Sequence, residues 1–129
     1  MMKQHRLAKI FFMMMILTSH SAFAAWTQFS ETNERVYFVD LDTLKKEGDT
    51  RIFWRLTNYK TRNKFGDLSG RRKELLDCTK EATQTLSFAS FAEPFAGGMS
   101  TSTLNPAPEW THIPPNTVDD TLMRLVCSR

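Results

Sequence analysis

Two cysteines, Cys78 and Cys127, and three histidines are all that the 129-residue sequence holds of those types, and its prolines all lie from Pro94 onward. Each scarcity excludes something. Neither cysteine has a second one two to four residues away, and His112 is the one histidine after residue 24, so no zinc-ligand spacing exists. No glycine-rich phosphate loop occurs, and no serine has the strained turn and orienting acid that a nucleophile needs. The longest apolar run, Ile10 to Leu17, has eight residues, whereas a bilayer-spanning helix needs about 20. No acid occurs in residues 1–24.

That acid-free start has the order of a secretory signal. Lys3, Arg6 and Lys9 form a positive region, Ile10 to Leu17 an apolar one, and Ala22-Phe23-Ala24 a small–x–small site, which predicts cleavage after Ala24. The expected organisation is a signal peptide over 1–24 and a single domain over 25–129, with no cysteine near the cleavage point to carry a lipid and no transmembrane anchor in the mature chain. Three of the seventeen Lys and Arg lie in the signal, leaving fourteen bases against fourteen acids. A neutral, exported domain argues against a nucleic-acid role. An even cysteine pair in such a chain reads as a disulfide. Closing a loop of about 50 residues, it is worth roughly 4 kcal/mol on a chain-entropy model.

The mature pattern is mostly strands. Trp26 to Phe29, Arg35 to Asp40, Arg51 to Tyr59, Arg71 to Thr79 and Thr83 to Phe91 are rich in β-branched and aromatic residues and are separated by turn signals. Met99 to Leu104 is a candidate edge strand. Asp40 to Lys46, with acids leading and bases trailing, predicts a single helical turn. In the strand from Arg51, alternation places Ile52, Trp54 and Leu56 in the core and Arg51, Phe53, Arg55, Thr57 and Tyr59 on a mixed, half-covered face. Trp110 is the expected plug at one end of the core. Pro114-Pro115-Asn116-Thr117 leads into a closing helix, with Thr117 as cap, Asp120 three residues on, and Val118, Leu122, Leu125 and Val126 in one stripe. The fold class expected is α+β: a twisted antiparallel sheet of five to six strands, with a C-terminal helix pinned to one face by Cys78–Cys127.

The order of these pieces is distinctive. An early Trp26 precedes the strand Val36 to Asp40 and the turn Leu44 to Gly48. The aromatic strand Phe53 to Tyr59, the basic strand Arg71 to Cys78, and Trp110 to Cys127 with its Ile-Pro-Pro-Asn-Thr follow. The chain resembles the surface-adhesin protein E-like family of Gram-negative bacteria over nearly all of 25–129. The resemblance implies the same sheet, helix and disulfide. It also implies a non-catalytic, adhesin-like envelope module that binds proteins or glycans, with host matrix or envelope proteins as partners. The alternative is a periplasmic structural or accessory protein with a bacterial partner.

The chemistry-bearing residues agree with a module of that kind. His112, between Trp110 and two prolines, reads as a surface residue rather than a base. Asp42, Asp119 and Asp120 sit where helix starts favour negative charge. No cofactor and no metal is called for. Arg62, Lys64, Arg71, Arg72 and Lys73 crowd one loop and the start of a strand, with Asp67 and Glu74 opposing them. They are the candidate binding residues, the competing reading being a charged loop that guards a sheet edge.

Overall fold

The computed structural model describes residues 25–129; the signal segment and its cleavage after Ala24 lie outside the described residues. Strands β1 (Trp26–Glu31), β2 (Arg35–Glu47), β3 (Thr50–Tyr59), β4 (Ser69–Asp77), β5 (Ala82–Glu93) and β6 (Gly97–Leu104) pair antiparallel in sequence order. The two-residue β7 (Thr111–His112) pairs the start of β5, on the edge that β6 leaves free. Helix α1 (Val118–Cys127) closes the chain, and Cys78 is bonded to Cys127. The meander, the late edge strand and the disulfide-pinned helix are as the sequence predicts.

The buried face of β3 is the reverse of the expected one. Phe53 joins Val39, Leu76 and Ile113 beneath Leu122, Met123 and Val126 of the helix, and burying such side chains contributes about 1.5–3 kcal/mol each. Arg51 and Arg55 share this face and are buried with it. The two ends of α1 explain the exception. Arg51 Nε donates to the carbonyl of Val126 at 3.0 Å, placing a cation at the helix C-terminus, where the dipole is negative. Arg55 donates to Asp119 in the first helical turn at 2.8 Å. Alternation counts arginine as outward-facing, but these two are drawn inward by the helix they hold.

Ile52, Trp54 and Leu56 face the other side, where Leu56 is buried and Ile52 and Trp54 half-buried. The β5–β6 turn curls over part of that side. Phe95 and Ala96, both at positive φ (56° and 57°), occupy turn positions that usually take glycine or asparagine. They are held by Asn58 Oδ1 at 2.9 Å, by Ser69 Oγ at 3.0 Å, and by Phe95 packing on Phe38 with ring centroids 5.1 Å apart.

Two further expectations are corrected. Asp40 to Lys46 forms no helical turn: β2 continues as strand with a register break between Asp40 and Lys45. The buried Asp40 carboxylate accepts from the Asp42 and Thr43 amides and the Thr43 hydroxyl, at 3.0, 3.4 and 2.9 Å. That local side-chain turn replaces helical bonding and removes the capping role expected of Asp42. Trp110 does not plug the core but is 44% exposed. Ile113 fills the core instead, its amide donating to the Glu81 carbonyl at 2.8 Å.

Candidate functional site

The helix covers only part of its side of the sheet. Strand register places Val39, Arg55, Arg72, Phe88 and Leu104 in one row, and Tyr37, Thr57, Gly70, Ser90 and Ser102 in the next. The first row is buried at Val39 and Arg55 but emerges at Phe88 and Leu104. Beyond the helix this side of the sheet forms a groove of three cavities that meet at Tyr59. The largest, about 470 Å³, lies between Phe88, Leu104 and the loop residues Asn63, Phe65 and Asp67. The second lies between Tyr37, Gly70 and Arg72. The third, about 220 Å³, is flanked by Glu34, Arg35 and Arg62.

Gly70 shapes the floor. A Cβ there would stand 3.1 Å from the Phe88 ring and 3.4 Å from the Tyr59 hydroxyl. A side chain there would push both rings back by a few tenths of an ångström, so glycine suits their convergence across β4, as it often does inside a strand. The wall is a tightly bonded loop. Asn63 Oδ1 accepts the amides of Phe65 and Asp67 at 3.0 and 2.9 Å, and the Asn63 amide donates to the Asp67 carbonyl at 3.0 Å. Such side-chain-to-backbone bonds fix a turn without sheet or helix. Phe65 is thereby held 76% exposed.

The five candidate basic residues do not form one patch. Arg62 and Lys64 lie on the groove's loop: Arg62 donates to the carbonyls of Gly66 and Ala92 at 3.1 and 2.9 Å, and the Lys64 ammonium sits 5.0 Å from the centroid of the Phe65 ring. Arg71 and Lys73 point to the opposite side, over Trp54 at 5.2 and 5.9 Å, with Arg71 also over Phe91. Arg72 returns to the groove side, where its Nε forms an ion pair with Glu74 at 2.6 Å. Burial draws the Arg72 guanidinium below its ordinary range, against the pull of Glu74. Strand alternation alone separates neighbours that the sequence lists side by side.

Between groove and core lies a buried ion cluster. Arg55, 2% exposed, is bonded to Glu74 at 3.3 Å and to Asp119 at 2.8 Å, while Glu74 also pairs with Arg72 and accepts from the Thr83 hydroxyl at 3.2 Å. Two cations meet two anions, so the charges balance, as buried ions require. Among the described residues no His, Cys, Asp and Glu are grouped to hold a metal, and no helix is long and apolar enough to cross a membrane. His112 is exposed on β7. Tyr59 stands on the mixed, half-covered face expected of β3, whereas Phe65, Asp67, Gly70 and Phe88 were not singled out for the site. The glycine within a strand was the one local signal for them.

The model of a family described as surface-adhesin protein E matches residues 26–128. No curated protein matches the sequence. Solved structures of Haemophilus influenzae protein E share the fold. One has a TM-score of 0.61 at 11% identity, the match covering 80% of this chain and 83% of that one. Its second crystal form has a TM-score of 0.59 at 12% identity, covering 78% and 91%. Protein E from a non-typeable strain gives 0.58 at 12% identity, covering 80% and 75%. At such identities the likeness concerns the fold alone.

Proposed function

Since the chain belongs to the surface-adhesin protein E family, we propose that it is a non-catalytic binding module of the cell envelope, exported by its N-terminal signal, that engages a protein through the open groove at Tyr59. One observation carries this reading: three cavities share Tyr59 on the helix-free part of the sheet, the smallest floored by Gly70 and the largest of the three walled by the exposed Phe65 ring. Exposed aromatic side chains beside a concavity are typical of protein-binding surfaces. Arg62 and Lys64 stand at its rim and are the members of the basic set that a ligand in the groove reaches. Arg71, Arg72 and Lys73 contribute less, two being on the other side and one held by Glu74.

Gly70→Val tests the reading by filling the floor. Overpacking costs about 1–3 kcal/mol, so the urea midpoint of the variant is measured alongside binding. Binding to immobilised basement-membrane extract is expected to fall at least 10-fold, while Arg71→Ala with Lys73→Ala leaves it unchanged. The reverse pattern would move the site to the other face. A second reading, a periplasmic accessory protein, is favoured by the use of both cysteines in one disulfide, since neither is then free to carry a lipid. Recovery from osmotic-shock fluid alone would select it; labelling on intact cells would select surface display.

A further inference from the structure

Four acids are buried in the described domain, and three of them are compensated. Glu74 has Arg55 and Arg72, Asp40 has two amides and a hydroxyl, and Asp120 has the Asn116 amide and Arg124. Asp67 is the exception. It is 3% exposed, its carboxylate accepts one hydrogen bond, from the Thr101 hydroxyl at 2.6 Å, and among the described residues no cation forms an ion pair with it. A buried carboxylate is ordinarily paired. This one lines the largest cavity, together with the rings of Tyr59, Phe65 and Phe88. Aromatic faces and a carboxylate both attract a cation carried on an apolar stem. Sugar hydroxyls would fill the carboxylate's lone pairs but leave its charge unneutralised.

The groove changes sign along its length. Past Tyr59 it reaches Glu34, Arg62, which faces Glu93 at 3.9 Å, and Arg35, whose guanidinium lies 5.2 Å over the Tyr59 ring and among the described residues forms no ion pair. We infer that the groove receives an extended protein segment that places a lysine side chain on Asp67 and an acidic residue toward Arg35. This rests on the groove being the binding surface. A free diamine gains nothing from Arg35, whose charge repels it; a segment carrying both signs matches both ends.

Titration of the purified protein, followed by amide chemical shifts in NMR, tests this with acetyl-Lys-Gly-Gly-Glu-amide. The amides of Phe65, Asp67 and Phe88 are expected to move and saturate. The same peptide with norleucine in place of lysine is expected to bind at least 10-fold more weakly, and Asp67→Asn to weaken the lysine peptide as much. Phe65→Ala, at an exposed position, gives a readout that does not depend on Asp67→Asn folding; about a 3-fold loss is expected from removing one cation–π face. Equal binding of the norleucine peptide, tighter binding of putrescine that ignores Arg35→Ala, or saturation by a methyl glycoside with none by the lysine peptide would each overturn the inference. If the peptide fails while Gly70→Val still abolishes capture on the matrix extract, the lysine reading falls alone and the groove stands.

Discussion

The helix-covered and open parts of the same sheet face differ in how their charges are met. Under α1 every buried ion has a partner: Arg51 meets the helix C-terminus, and Arg55 joins Glu74, Arg72 and Asp119. Toward the open end, among the described residues, Asp67 of the β3–β4 loop has one hydroxyl and Arg35 of β2 only an aromatic ring. The covered part is closed by a disulfide and apolar packing; the open part is left with exposed apolar side chains at Phe65 and Leu104 and a floor without a side chain at Gly70. Paired charges are concentrated under the helix and unpaired ones in the open part, a contrast of the kind expected when local stability is unevenly distributed.

The covered part should therefore dominate unfolding. Replacing Cys78 and Cys127 together with serine removes a link across a 49-residue separation and is expected to cost about 4 kcal/mol, read as a lower urea midpoint. Two separated transitions would show that the groove folds independently and would break the comparison. Glu74→Ala should come next, at about 3 kcal/mol, since it leaves Arg55 and Arg72 together with Asp119 alone to balance them. The figure sits at the low end because Arg72 is about a third exposed and turns to solvent. By contrast, Phe65→Ala in the open part should change stability by less than about 0.5 kcal/mol. A cost comparable to that of Glu74→Ala would show that the groove is a structural element rather than a free surface.

The same contrast separates what the sequence revealed from what it concealed. The helix was legible because its signals are local: Thr117 and Asp120 at capping spacing, and Leu122 and Val126 in one stripe. The disulfide was legible from cysteine count and an exported setting. The buried face of β3 was not, because Arg51 and Arg55 are interior only by virtue of carbonyl and carboxylate partners about 65 to 75 residues away. The helical turn expected at Asp40 failed because one carboxylate bonded its own backbone neighbours, a choice that charge order does not foresee. The candidate basic residues dispersed because strand alternation sends Arg71 and Lys73 to one side and Arg72 to the other. Asp67 was visible only as an opposing charge, since its burial depends on Thr101 from another strand.

An effect smaller than that of Glu74→Ala concerns how α1 is started on the covered part. Thr117 Oγ1 accepts the Asp120 amide at 3.2 Å, and the Asp120 carboxylate accepts the Asn116 amide at 2.9 Å and faces Arg124 Nε at 3.4 Å. The Asn116 amide, and then Arg124, hold the Asp120 carboxyl below its ordinary range despite opposing desolvation. Because the folded value is the lower one, the contribution of ionised Asp120 is complete above the unfolded carboxylate pKa of about 3.9. It is lost as pH falls through the folded value. Thr117→Ala should cost about 1 kcal/mol at every pH, since a hydroxyl does not titrate in this range. Asp120→Asn should cost stability at neutral pH and converge with the parent in acid. Urea midpoints measured at pH 7 and pH 2.5 separate the two: a constant gap for Thr117→Ala, a closing gap for Asp120→Asn. If the Asp120→Asn gap stays open in acid, the carboxylate acts by shape rather than by charge, and the rule that the covered part is held by paired ions stops short of its helix cap.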